Sequence, residues 1–347
     1  MAYTTINKST DYFNTITYVA NGSDNHAITG VGFRPDFVWL KNRDTAVSHS
    51  LYDVVRGAGQ ELKSDTNAAV NVVTDRLKSF DSDGFTLGTS WGNISNGDDY
   101  VSWNWKAGQS QGSSNTDGSI NTTYTSVDTT SGFSISTYTG TGSAATIGHG
   151  LGTAPQVVIC KQLNSAQKWI NYHQSIGATK YLHLNETDAE ATSSTVWNNT
   201  DPTSSVFSVG TAVNCNGSGN TYVAYCFAEK TGFSKFGSYT GNGSDSFIYT
   251  GFKPAFMMCK KTDSADNWKI IDNKRSPINV MDDTLAADTS NTEASPEGGV
   301  TIDFVSNGFA FKSMSNAAFN ANGGSYIYMA FAKAPLVGSN NIPATAR

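Results

Sequence analysis

The side chains best equipped for chemistry in this 347-residue chain are five histidines, four cysteines and two adjacent acid pairs, and their spacing does not assemble a reaction centre. His26, His49, His149, His173 and His183 make neither an H-E-x-x-H nor an H-x-H arrangement, and none stands at zinc-ligand spacing from a cysteine. Cys160, Cys215, Cys226 and Cys259 contain no C-x-x-C pair, so they read as reduced, buried small hydrophobes and not as a redox site or disulfide framework. The stretch Gly108 to Gly112 matches the G-x-S-x-G elbow around Ser110, but that motif needs a strand before it and a helix after it, and here it opens a low-complexity segment. Gly140-Thr141-Gly142 lacks the third glycine of a dinucleotide loop, and Asp81-Ser82-Asp83-Gly84 lacks the later glutamate of a calcium loop; both read as turns. Sugar hydrolysis takes two carboxyls roughly 5 to 9.5 Å apart, whereas the neighbours Asp98-Asp99 and Asp282-Asp283 would point to opposite faces of any strand. The expectation is a protein with no catalytic residue, no cofactor and no metal.

A different set of residues recurs. Pro35, Pro155 and Pro254 each follow a Tyr and a Gly-Ser turn and precede four apolar or thiol residues; a lysine stands six positions after each, at Lys41, Lys161 and Lys260. Fourteen positions after the proline are His49, Trp169 and Trp268, and eighteen after it are Asp53, His173 and Asp272. The copies close on Tyr100-VSWNWK, Tyr222-VAYCFA and Tyr326-IYMAFA. Three units result: 1–108, 132–230 and 231–334, with 109–131 as a Ser/Thr/Asn/Gly-rich linker that could carry the first strand of unit two, and 335–347 as a tail. The long linker leaves unit one free to hinge, whereas the short junction at Glu229 holds units two and three together.

The elements that would position these residues are strands. Ser (40), Thr (39) and Asn (31) make up about a third of the chain and charged residues only 15%, a composition suited to strands and turns and poor for helix surfaces. In the closing segments one parity is bulky throughout: Val101, Trp103 and Trp105; Val223, Tyr225 and Phe227; Ile327, Met329 and Phe331. Period-two alternation in a fixed phase marks one face packed on the core of each repeat. Burial of each such side chain contributes about 1.5 to 3 kcal/mol before entropy, enough to fix the register. The segments after the prolines are apolar at both parities, as in a central strand covered on two faces. Six Asn-Gly pairs, among them Asn216-Gly217 and Asn307-Gly308, predict hairpins. The fold class expected is all-β: three tandem antiparallel β-sandwiches, jelly-roll or lectin-like, of about 100 residues each.

A net charge of −6 argues against nucleic acid as a partner, and no apolar run is long enough for membrane insertion. The start of the chain has no secretory signal pattern, which points to assembly in a cytoplasm. Trp169, Trp268 and their counterpart His49 are candidates for ligand or intersubunit contact, with core packing as the plain alternative; Lys41, Lys161 and Lys260 read as solvated strand ends.

The stretches AYTTINKSTDYFNT, GFRPDFVWLKNRD, LKSFDSDGFTLG, YVSWNWKAG, YVAYCFAE and GFSKFGSYTGNGS resemble a family of tandem-repeat proteins of tailed, mainly marine, bacteriophages and their prophages. The resemblance implies a non-enzymatic virion structural protein, a tail fibre or capsid decoration that contributes to host attachment and is localised in the virion. Its implied partners are other virion proteins, further copies of itself in a homo-oligomer such as a trimer, and a host-surface glycan or receptor. A glycan-binding adhesion module and a polysaccharide depolymerase are the alternatives.

Overall fold

The computed structural model of the protein describes residues 4–89, 95–335 and Val337, so that most of the expected 335–347 tail lies outside the described residues. The chain is all-β, and every pairing between its strands is antiparallel. Lobe 1 contains β1 (Phe13–Val19), β2 (His26–Ile28), β3 (Phe37–Asn42), β4 (Ser50–Asp53), β5 (Gln60–Glu61), β6 (Asn71–Val72), β7 (Leu77–Asp81), β8 (Gly84–Leu87) and β9 (Asp99–Trp105). Lobe 2 contains β10 (Tyr124–Asp128), β11 (Phe133–Thr139), β12 (Ala145–Gly148), β13 (Val157–Gln162), β14 (Ile170–His173), β15 (Lys180–His183), β16 (Ala191–Thr192), β17 (Val206–Val209) and β18 (Thr221–Phe227). Lobe 3 contains β19 (Ser234–Thr240), β20 (Ser246–Tyr249), β21 (Phe252–Lys261), β22 (Lys269–Asp272), β23 (Leu285–Ala286), β24 (Ile302–Val305), β25 (Gly308–Phe311) and β26 (Ser325–Pro335).

One strand order occurs in each lobe's main sheet: β1-β9-β3-β4, β11-β18-β13-β14 and β19-β26-β21-β22. The closing strands and the post-proline strands therefore lie side by side in the sheet interior, which is why both are buried at nearly every position. A smaller sheet covers one face of each main sheet: β2-β8-β7, β12-β17 and β20-β25-β24.

The bulky parity of the closing strands does not face those small sheets. Trp103, Trp105, Tyr225, Phe227, Met329 and Phe331 all belong to a single cluster drawn from all three lobes, whereas Tyr222, Ala224 and Cys226, or Tyr326, Tyr328 and Ala330, pack inside their own lobes. Rings meet across every boundary: Phe37 and Tyr225 at 4.6 Å, Phe227 and Phe331 at 6.1 Å, Phe13 and Phe331 at 4.9 Å. The expectation that these nine residues form a separate core in each repeat is thus corrected. Alternation identifies the residues that share a face but not the body that covers it, and here the cover is the two other lobes. The expected hinge of unit one fails for the same reason, since its main sheet is packed on both neighbours. The void left at the centre of the cluster is about 10 Å³, no room for a ligand.

The 109–131 stretch is folded onto lobe 2. Its Tyr124–Asp128 segment is β10, paired with β11, and Ile120 lies parallel to Ile147 on the edge of β12. Of the two Asn-Gly pairs named above, Asn307-Gly308 lies at the expected hairpin and Asn216-Gly217 does not. Asn216 ends a short helical turn, Val213–Asn216. The β24–β25 turn is Ser306-Asn307, and Gly308 begins β25 because an added Cβ would stand 2.1 Å from the Ile248 carbonyl oxygen of β20. Gly84 has the same task against Ile28 in lobe 1.

Candidate functional site

The recurrent polar residues meet at the three seams between lobes, and each reaches the same place on its neighbour. Lys41, Lys161 and Lys260 end interior strands, so their side chains cannot reach water and run along the seam instead; they are at most 1% exposed. Each Nζ donates to the carbonyl of the next residue, at 2.7 to 2.8 Å, and to one carbonyl of another lobe: Lys41 to Ser290, Lys161 to Asn67 and Lys260 to Thr187, at 3.0 to 3.3 Å. Burial lowers all three ammonium groups to about 8. The solvated-lysine expectation is corrected: a lysine closing an apolar run reaches water only where its strand is at an edge.

The ring position repeats the pattern. Trp169 Nε1–H donates to the Lys63 carbonyl, Trp268 Nε1–H to that of His183, and His49 Nε2 faces that of Ala286, each at 2.9 Å. His49 Nδ1 accepts from the Trp39 indole at 2.8 Å, which places its one proton on Nε2 and makes it the donor to Ala286. Burial, with the charge of Lys41 beside it, lowers this imidazole to about 3. None of the three rings is more than 3% exposed, so His49, Trp169 and Trp268 are not a ligand surface; they are hydrogen-bonded locks between lobes of one chain. Backbone amides complete each seam: Val70 donates to Leu163 O, Glu190 to Thr262 O and Glu293 to Arg43 O, at 2.8 to 2.9 Å. Lobe 2 reaches lobe 1, lobe 3 reaches lobe 2 and lobe 1 reaches lobe 3, a closed head-to-tail ring of pseudo-threefold symmetry.

The third recurrent position divides the seams. Asp53 accepts from Tyr225 Oη at 2.7 Å and pairs with Arg56, while Asp272 accepts from Trp103 Nε1 at 3.0 Å and pairs with Arg275 at 2.6 Å. Burial works against both guanidinium charges, yet Asp53 and Asp272 hold Arg56 and Arg275 above the ordinary arginine range. At the seam between lobes 2 and 3, Met329 occupies the place of Tyr225 and Trp103 and has no donor. Opposite it the acid is His173 and the arginine is Ile176. His173 Nε2 donates to the Tyr328 carbonyl at 3.3 Å, its Nδ1 accepts from Ser175 N, and burial lowers it to about 4. The arginines at this site were missed in the sequence, although an Arg three positions after Asp53 and Asp272, but not after His173, was the available signal.

The remaining sequence candidates stay apart. Ser110 sits in a turn held by Gln109, which bonds Arg34 O and Asp36. Asp83 caps the amides of Gly30 and Gly32. Asp98 bonds Asn42 and Thr45, and Asp283 bonds Ser276. Among the described residues, no three His, Cys, Asp or Glu side chains gather as metal ligands, and no helix is long and apolar enough to cross a membrane.

Grooves open outward at all three seams, of about 360 Å³ between lobes 1 and 2, about 440 Å³ between lobes 2 and 3 and about 290 Å³ between lobes 3 and 1. Gln60, Val70, Thr137 and Thr221 line the first, and their equivalents Lys180, Glu190, Ser238 and Ser325 line the second. At the closing seam, between lobes 3 and 1, Arg43 crosses this position, 2.6 Å from Glu293 and 3.9 Å from Asp99.

Fold and seams together define the class: a three-lobed, antiparallel β protein whose recurrent reactive side chains lock the lobes into a ring. The chain belongs to the DUF7483 family, a domain of unknown function, whose family model matches residues 8–335 and so runs through all three lobes. A search of curated proteins finds no match.

Proposed function

We propose that the protein is a non-enzymatic structural component of a bacteriophage virion, a tail fibre or capsid decoration that takes part in host attachment. The observation that carries this reading is that the recurrent lysines, rings and acid–arginine pairs are spent on joining lobes; the repeated chemistry of the chain maintains a shape. A rigid body with neutral hydroxyl and amide side chains outside is what a particle surface exposed to a host envelope requires. Other virion proteins, and further copies of this chain, are the partners the reading assigns to it. The test is gradient purification of particles from a phage or prophage carrying this sequence, followed by quantitative mass spectrometry. The chain is expected in the particle band at a fixed ratio to the major capsid protein. Its confinement to the soluble lysate would overturn the proposal.

A further inference from the structure

We infer that the grooves at the lobe 1–lobe 2 and lobe 2–lobe 3 seams bind a neutral oligosaccharide. This deepens the attachment reading above and rests on it for its biological setting. Both grooves fall within the roughly 300 to 1,000 Å³ of ordinary small-ligand sites. Their lining is uncharged in effect: the Arg56 guanidinium is taken up by Asp53 and the carbonyls of Gln60 and Leu51, and Lys180 pairs with Glu190. The hydroxyls of Thr137 and Thr221 in one groove, and of Ser238, Thr240 and Ser325 in the other, have no hydrogen-bond partner among the described residues, and these positions are wholly or partly exposed. Tyr124, 37% exposed, adds to the first groove a ring on which the C–H face of a sugar can stack. Unpaired hydroxyls without net charge, beside an aromatic face, match a polyol and offer nothing to select a phosphate, a carboxylate or a peptide terminus. The grooves also have walls from two lobes each, so only the assembled ring presents them. The closing seam supplies an internal contrast: Arg43 stands where the other two seams have Leu163 and Thr262, and the groove that opens there is lined by Lys274 and Lys333 and holds no counterpart of Tyr124.

The test uses the full chain and ligand-observed NMR with maltotriose, mannotriose and chitotriose, each up to about 10 mM, the upper end of measurable weak affinity. At least one trisaccharide is expected to bind. The double variant Thr137→Trp/Ser238→Trp, which fills both grooves from a partly exposed and an exposed position, should weaken that binding at least about tenfold, and Thr17→Trp, the equivalent change at the closing seam, should leave it unchanged. Absence of binding by all three sugars, equal binding by the double variant, or binding confined to acidic oligosaccharides would overturn the inference. Because the assay needs only purified protein, its failure is distinct from failure to find the chain in particles.

Discussion

The closing seam and the seam between lobes 2 and 3 are built on the same backbone and solve the same packing problem with opposite chemistry. In the first, Asp272 receives the Trp103 indole and Arg275, and Glu293 joins Arg275 to Arg43 of lobe 1. In the second, a neutral His173 gives one hydrogen bond to a carbonyl, with Ile176 and Met329 as its apolar neighbours in the alignment. The difference follows from a single missing donor. A carboxylate buried opposite Met329 would lose the neighbouring lobe's hydrogen bond and keep its desolvation cost, so the charge and its counter-ion are both absent there. A seam tolerates an ion pair or a neutral bond, but not half of either.

The largest effect should come from breaking the ionic seam at one partner. Asp272→Ala leaves Arg275 buried with its closest carboxylate gone and Trp103 N–H unpaired, and should cost about 3 to 5 kcal/mol in urea unfolding. His173→Ala should cost about 1 to 3 kcal/mol; equal losses at the two sites would break the comparison. Transplantation sharpens it. His173→Asp alone should destabilise strongly, whereas the triple change His173→Asp, Ile176→Arg and Met329→Tyr rebuilds the lobe 1–lobe 2 arrangement and should recover more than half of that loss, a coupling above about 1 kcal/mol.

Acid should act on both seams through their imidazoles. His49 and His173 titrate near 3 and 4 in the fold, below the ordinary histidine value of 6.5, so the unfolded chain takes up protons first as pH falls. Their contribution is complete above about pH 6.5 and is lost progressively down to about pH 4 for His173 and about pH 3 for His49, and the urea midpoint should be lower at pH 5 than at pH 7. At His49 the incoming charge also faces Lys41 and Arg275. The buried lysines give the complementary limb: with values near 8 in the fold and 10.5 unfolded, they make stability rise as pH increases through that window. A midpoint unchanged between pH 5 and 7 would contradict the assignment of neutral imidazoles. The smallest change is Trp268→Phe, which removes one N–H donor to the His183 carbonyl and should cost about 1 kcal/mol in the same assay.

Much of this was legible in the sequence, but in one dimension only. Spacing brought Lys41, Lys161 and Lys260 into one register and placed His49 opposite Trp169 and Trp268, and alternation separated Trp103 from Ser102 and Asn104. The fold class followed from those patterns. What spacing could not convey is that equivalent positions reach the next lobe and not their own, because a repeat looks the same whether its bulky face closes on itself or on its neighbours. Lys41 was misread for that reason: a strand-end lysine is solvated by default, and only a second lobe seals it in. The Asp-x-x-Arg pairs at Asp53 and Asp272 carried a visible clue in their absence at His173, but its meaning depends on Met329, some 150 residues away and near only in three dimensions.

The central claim is that lobe 1, first in sequence, docks on lobe 3 as firmly as on lobe 2 and so closes the ring. Residue-resolved hydrogen exchange of the amides of Val70, Glu190 and Glu293 tests it most directly, since each donates across a different seam. The account predicts comparable protection at all three. Fast exchange at Glu293, with Val70 and Glu190 protected, would mean an open chain of lobes and contradict it.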